Sequence, residues 1–206
     1  MSIVFYEAPM SSATPVSWAL AELEVPHERV RFDLAAGDQR KPEFLKINPN
    51  GKVPTLVVDG TPLFEALAIM IWLGDRYGVE RGMWPKGDAA ERLQALSWST
   101  WGYVSFGSAV QRLAYATSER VEPELRSEGQ AKLARQDTDA LLTVLDGRLA
   151  DARWILRQAF SLTDLIVASV VWYGTMVGIA LDPYPNVKAW LERCCDRPQF
   201  KRSTAG

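Results

Sequence analysis

Residues 53–66, "VPTLVVDGTPLFEA", decide the fold. Thr55 to Val58 and Thr61 to Phe64 are short strand-like runs, and the Asp59-Gly60 pair between them is a hairpin signal. Pro54 heads the first run, where a residue that cannot donate to a ladder is tolerated only at an edge, bulge or bend. The text continues into "EALAIMIWLGDRYG", a helix ending at Gly78. Upstream, "SIVFY" reads as a strand, and "PVSWALAELEV" sets Val16, Leu20 and Leu23 at helical spacing before Pro26 closes it. "ERVRFDL" then alternates, with Val30, Phe32 and Leu34 on one side, and the polar stretch after it holds a short helix. The resulting order, β-α-β-(short helix)-β-β-α, is that of an α/β unit.

From Val79 to Gly87 the chain turns to "VERGMWPKG" and strand signals stop. The expected division is therefore an α/β domain over residues 1–78, a linker over 79–87 and an all-helical domain over 88–206. Helices are expected over about 88–118, 128–149, 161–180 and 186–195, with Pro123, Pro183 and Pro185 between them. Leu165 to Leu181 is free of charge and touches the lower length limit for spanning a bilayer. It contains Ser169, Gly174, Thr175 and Gly178, lacks basic flanks and follows a capping-box variant, Ser161-Leu-Thr-Asp164, so it reads as the centre of a helical domain.

At 206 residues, with 23 basic and 25 acidic side chains nearly cancelling, the chain has no electrostatic footprint for nucleic acid or an anionic membrane. The start "MSIVFYEAPM" does not read as a signal peptide. Cys194 and Cys195 are adjacent, which excludes a disulfide framework and a Cys-x-x-Cys pair, and a reducing cytoplasm is expected. With His27 as the one histidine, no metal site is expected.

Four stretches together resemble the cytosolic glutathione transferase family, over the entire chain: "PEFLKINPNGKVPTLVVDG" at 42–60, "LFEALAIMIWLGDRYG" after it, "FSLTDL" at 160–165 and "YPNVKAWLERCCDRP" at 184–198. The resemblance implies a thioredoxin-like N-terminal domain, an all-helical C-terminal domain, glutathione as co-substrate and a homodimer. It implies a cis Val53-Pro54 bond, turning the Val53 backbone outward to pair with the tripeptide as an added strand does. It places Glu65 on the γ-glutamyl amino group, although a first-turn carboxylate also simply suits a helix dipole, by about 0.3–1 kcal/mol. The next residue, usually Ser or Thr, is Ala66 here, so a side-chain donor is lost while the helix N-terminus remains an anion site. Gln39 and Lys52 are the available partners for the glycyl carboxylate, or else solvated surface residues; Lys52 replaces the family's usual Gln.

The stretch "PMSSATP", residues 9–15, has two readings, a capped turn or a site where a hydroxyl stabilises the glutathione thiolate. Counting forward from the strand puts Ser11 at the catalytic position of serine-using classes, whereas counting back from the helix puts Met10 there. Alignment with the cysteine-using bacterial class favours Ser12, and Tyr6 and Thr14 are further candidates. The aromatic helix "LSWSTWGYVSFGSAVQRLAY" supplies candidates for a hydrophobic electrophile pocket, Trp101, Phe106, Arg112 and Tyr115, with a surface salt bridge as the plainer use of Arg112. The expected activity is glutathione conjugation to a hydrophobic electrophile. The alternatives are a glutathione-dependent isomerase or dehalogenase, and a non-catalytic scaffold of the same fold.

Overall fold

The computed structural model describes residues 1–119 and 121–204. It contains two compact units, one formed by Met1–Lys86 together with the C-terminal segment from Asp196, the other by Gly87–Cys195.

The first unit runs β1 (Ile3–Glu7), α1 (Thr14–Glu22), β2 (Glu28–Arg31), α2 (Pro42–Leu45), β3 (Thr55–Val58), β4 (Thr61–Phe64) and α3 (Ala66–Leu73). The four strands are ordered β2-β1-β3-β4. β1 pairs in parallel with β2 and antiparallel with β3, and β3 and β4 form the expected hairpin at Asp59-Gly60. This is a thioredoxin-like sheet. Ile3, Phe5 and Leu56 from the strands are buried with Val16, Trp18 and Leu20 of α1 and Ile69, Met70 and Leu73 of α3, so the helical spacing in "PVSWALAELEV" marks a core face. Tyr6 and Phe32 instead pack together with Phe44 of α2, at centroid distances of 4.7–5.6 Å. Leu34 departs from the expected alternation: β2 ends at Arg31, the Asp33 carboxylate accepts from the Ala35 and Ala36 N–H groups, and Leu34 is exposed on that turn.

Residues Val79–Lys86, expected as a linker, belong to the first unit. Trp84 is buried against Gly74, where a Cβ would come within 2.7 Å of its ring, and its Nε1 donates to Asp75. The chain also returns to this unit after Cys195 instead of ending in the helical one. α9 (Pro198–Thr204), absent from the sequence expectation, packs on α1 with Phe200 edge-on to Trp18. Glu22, whose side chain is 2% exposed, accepts from both Arg197 Nε and a terminal nitrogen, at 2.6 and 2.7 Å, and from Trp18 Nε1 at 2.9 Å. A bidentate guanidinium is what makes this buried carboxylate affordable. Arg197→Ala is expected to destabilise the first unit by about 2–3 kcal/mol, because it strands the Glu22 charge. Urea denaturation checks it; a loss comparable to that of an exposed ion pair, under about 1 kcal/mol, defeats this account.

The second unit is all-helical: α4 (Ala90–Thr100), α5 (Gly107–Thr117), α6 (Glu128–Leu149), α7 (Leu162–Met176) and α8 (Pro185–Cys195). α4 and α5 are joined by a π-helical turn, Trp101–Phe106, where the sequence suggests one unbroken helix. Gly102 in that turn lies against Val167, with 3.1 Å between a built Cβ and the Val167 side chain. α7 is the central helix, and every residue from Leu162 to Ser169 is buried, which is why its text carries no charge beyond Asp164. It stops four residues short of the expected end, at a turn containing Gly178 with φ +91°. No helix among the described residues is long and apolar enough to cross a membrane.

Candidate functional site

All four strands of the first unit deliver a loop to one end of the sheet. Register sets Val30, Tyr6, Thr55 and Phe64 side by side across it. Ser11 and Ser12 follow β1, Gln39 follows β2, Lys52, Val53 and Pro54 precede β3, and Glu65 and Ala66 follow β4. Sequence-distant residues are therefore gathered by topology alone, at the carboxyl ends of three strands and the start of the fourth.

Hydrogen bonds then hold these loops together. Ser12 Oγ donates to the Val53 carbonyl at 2.8 Å. Asn48, fully buried, donates from Nδ2 to the Lys52 carbonyl at 2.8 Å and to Thr55 Oγ1 at 2.9 Å, while its Oδ1 accepts from the Asn50 N–H. Asn48 was not among the sequence candidates; its signal was the turn chemistry of "NPNG", an Asn folding back on its own backbone. Gly51, at φ +57°, allows the Gln39 backbone to approach, since a Cβ would lie 2.9 Å from the Gln39 carbonyl oxygen. The Val53-Pro54 bond is cis.

Three groups at this end are left open. The Val53 N–H has no partner among the described residues although Val53 is buried, and an unpaired backbone donor in such a place is an invitation to a ligand acceptor. No side chain among the described residues caps the first turn of α3, so its leading N–H groups and the positive end of the helix dipole are available to an anion. The exposed Glu65 carboxylate beside them has no hydrogen bond or ion pair among the described residues. Glu65 also sits at φ 72°, ψ 114°, a conformation that costs a non-glycine residue about 1–3 kcal/mol and tends to mark functional sites.

The serine hydroxyls of "PMSSATP" are both engaged within the protein. Ser11 Oγ donates to the Ala8 carbonyl at 2.7 Å and accepts from the Ala13 N–H at 3.1 Å, so it fastens the turn before α1. Serving a thiolate requires the Ser11 O–H to release Ala8, a single rotation about the side chain. Ser12 is exposed but already engaged with Val53. Thr14 is buried in the first turn of α1, and Tyr6 packs its ring with Phe32 and Phe44. Gln39 makes one long contact, Nε2 to the Leu34 carbonyl at 3.4 Å, and its Oε1 is buried without a partner among the described residues. Lys52 is exposed, with no acid partner among the described residues.

The aromatic candidates of the helical unit separate into different environments. Phe106 is fully buried and stacks with Trp101 at 6.0 Å, so it is a core residue, contrary to its expected place in a pocket wall. Trp101 is half-buried and edge-on to Trp98. Arg112 pairs with Asp137 at 2.5 Å, the plainer of its two expected uses, and Tyr115 is exposed. Burial of the Tyr103 phenol, in the same π turn, pushes its pKa up to about 12. No cluster able to hold a metal occurs among the described residues. His27 sits 2.8 Å from the Val25 carbonyl through Nδ1, and Cys194 is buried.

Comparison with known proteins identifies relatives of the whole chain. Residues 1–75 match the family model of the glutathione S-transferase N-terminal domain, and residues 110–198 match that of the C-terminal domain. Glutathione S-transferase GstB of Escherichia coli is 30% identical over 185 residues, covering 89% of this chain and 88% of that protein. The E. coli disulfide-bond oxidoreductase YfcG is 30% identical over 215 residues, covering 95% and 91%. A glutathione transferase of Burkholderia graminis, solved with two glutathione molecules bound per subunit, superposes with a TM-score of 0.87 at 28% identity, covering 100% of this chain and 88% of that one.

Proposed function

This chain belongs to the glutathione S-transferase family, and from that premise we propose that it binds glutathione at the sheet end carrying Val53 and Glu65 and transfers its sulfur to a hydrophobic electrophile. The unpaired Val53 N–H is the observation that carries the proposal. It offers a strand-like donor to the cysteinyl backbone of the tripeptide, the same interaction an added β-strand makes. Glu65 faces the γ-glutamyl ammonium, and the uncapped start of α3 at Ala66 takes the γ-glutamyl carboxylate, as a helix N-terminus does for anions generally. Gln39 and Lys52 take the glycyl carboxylate, Gln39 through its Nε2, which gives up its long contact with the Leu34 carbonyl. Ser11 donates to the sulfur, favouring the thiolate; the sulfur then bonds to the electrophilic carbon while the leaving group departs with its electron pair. A cytoplasmic homodimer is the proposed setting.

Calorimetric titration with glutathione tests the site. Binding is expected, and Glu65→Gln is expected to weaken it about 10- to 100-fold, since it removes a charge-assisted hydrogen bond worth about 1.5–3 kcal/mol. Unchanged affinity in Glu65→Gln refutes the placement of the γ-glutamyl end. The oxidoreductase named among the relatives favours a second reading, in which two glutathione molecules reduce a disulfide to two thiols and leave as glutathione disulfide. Product analysis separates the two: conjugation consumes glutathione without forming its disulfide.

A further inference from the structure

The chain has three asparagines, and the residue after each decides what its side chain can undergo. Asn48 precedes Pro49, which has no N–H. Asn186 precedes the β-branched Val187, and its Nδ2 is held by Asp146 at 2.9 Å. Asn50 is exposed and precedes Gly51, so no Cβ hinders attack by the next amide nitrogen. That nitrogen, once a solvent base has taken its proton, bonds to Asn50 Cγ. The Cγ–Nδ2 bond breaks, and Nδ2 leaves as ammonia with a proton from water. Water then opens the cyclic imide at either carbonyl, giving aspartate or isoaspartate.

The native turn holds both reacting groups in hydrogen bonds to a single residue. The Gly51 N–H donates to the Asn48 carbonyl at 2.9 Å, and an amide proton so engaged is lost only when the turn opens. Asn50 Nδ2 and the Asn50 N–H both donate to Asn48 Oδ1, each at 3.1 Å. Asn48 is itself fixed, 1% exposed and donating to the Lys52 carbonyl at 2.8 Å and to Thr55 Oγ1 at 2.9 Å. Ring closure has to break these bonds, so its rate follows the opening of the turn.

The product does not fit the same turn. Isoaspartate inserts a methylene into the backbone before Gly51, where an added Cβ would already lie 2.9 Å from the Gln39 carbonyl oxygen. Either product also sets a carboxylate on the turn that carries Lys52, where the glycyl carboxylate of glutathione is proposed to bind, and like charges repel.

We propose that Asn50 is a covalent modification site, a deamidation site held closed by Asn48 in the native turn, whose conversion weakens the glutathione site beside it. The loss of affinity rests on the proposed glutathione site, whereas the reaction does not. To test it, the full chain is incubated at mildly alkaline pH, folded and in concentrated guanidinium chloride, and the tryptic peptide Ile47–Lys52 is followed by mass for exchange of amide for acid. Conversion in denaturant is expected, with conversion of the folded chain slower by about tenfold or more. Asn48→Ala, shown to be folded by circular dichroism, is expected to react several-fold faster than the wild type. Should it not fold, Thr55→Val, which keeps the strand's branched shape and removes one anchor of Asn48, is expected to do the same. Deamidated chain separated by anion exchange is expected to bind glutathione about tenfold more weakly in calorimetric titration. Equal rates in the folded and unfolded chains, no conversion in denaturant, or a folded variant that reacts no faster than the wild type overturns the closed site. Equal affinity of the two forms overturns its consequence. A wild type that binds no glutathione at all strikes the proposed function and this consequence together, while the reaction rates still decide the site.

Discussion

Replacing Asp164 by alanine lowers the stability of the helical unit by about 4 kcal/mol, among the larger effects of a single substitution. Its carboxylate is fully buried at the start of α7 and accepts four hydrogen bonds: from the Ile155 N–H and Trp190 Nε1 on one oxygen, at 2.8 and 3.0 Å, and from the Ser161 N–H and hydroxyl on the other, at 3.0 and 2.8 Å. The Ser161 N–H bond is half of a capping box at the N-terminus of the central helix, completed by the Asp164 N–H donating to the Ser161 side chain; the Ile155 bond fixes the segment between α6 and α7, and the Trp190 bond ties in α8. Burial pushes the Asp164 carboxyl up from its ordinary value, and the four donors pull it back toward the ionised form. Alanine leaves four buried donors without an acceptor, each costing about 1–3 kcal/mol if nothing replaces it, less whatever water recovers. Asparagine keeps the shape but turns an amide N–H₂ toward two of those donors, so about half the loss is expected. Urea denaturation followed by near-ultraviolet circular dichroism of Trp190 and its neighbours reads both variants. A loss below about 1.5 kcal/mol in Asp164→Ala shows that the carboxylate is not the joint of this unit.

The second large effect is on chemistry. Ser11→Ala is expected to lower kcat/KM for conjugation by about 100-fold, equivalent to about 2.7 kcal/mol of transition-state stabilisation, the range seen when one preorganised donor to a developing or resident anion is removed. The bound thiol should return toward the free value of about 8.5, read from the ultraviolet absorbance of the thiolate against pH. Because Ser11 also fastens the turn through Ala8 and Ala13, a stability loss of about 1 kcal/mol accompanies the change. Ser12→Ala provides the contrast. It cuts the bond to the Val53 carbonyl, so KM rises while kcat and the thiol titration stay put. If the thiol titration moves in Ser12→Ala and not in Ser11→Ala, the two serines exchange roles. If it moves in neither, the turn is a capped turn and the scaffold reading takes precedence.

What local chemistry writes into a segment was legible without coordinates. The β3–β4 hairpin appears at Thr55–Val58 and Thr61–Phe64 as its β-branched runs and Asp-Gly turn indicate, and α6 spans Glu128–Leu149 as its pattern indicates. The Ser-x-x-Asp box at the start of α7 was equally plain, because a cap and its helix lie within one turn of each other. The family followed from four motif stretches.

Tertiary structure decided the rest, for one physical reason: a hydrogen bond or packing contact between residues far apart in sequence leaves no periodic trace in either. Ser12 meets Val53 across 41 positions, and Glu22 meets Arg197 across 175, which is why the return of α9 to the first unit was not expected. Phe106 and Tyr115 read alike as aromatics on one helix, yet Phe106, in the π-helical turn, is fully buried and Tyr115, on α5, is 61% exposed, since only the packed neighbours determine which side each presents. The strained backbone at Glu65 and the unpaired Val53 N–H likewise exist only once four strands bring their loops to one edge. The sequence by itself determined the elements, their order and the chemistry available; the fold decided which of those groups are spent on structure and which are left free to act.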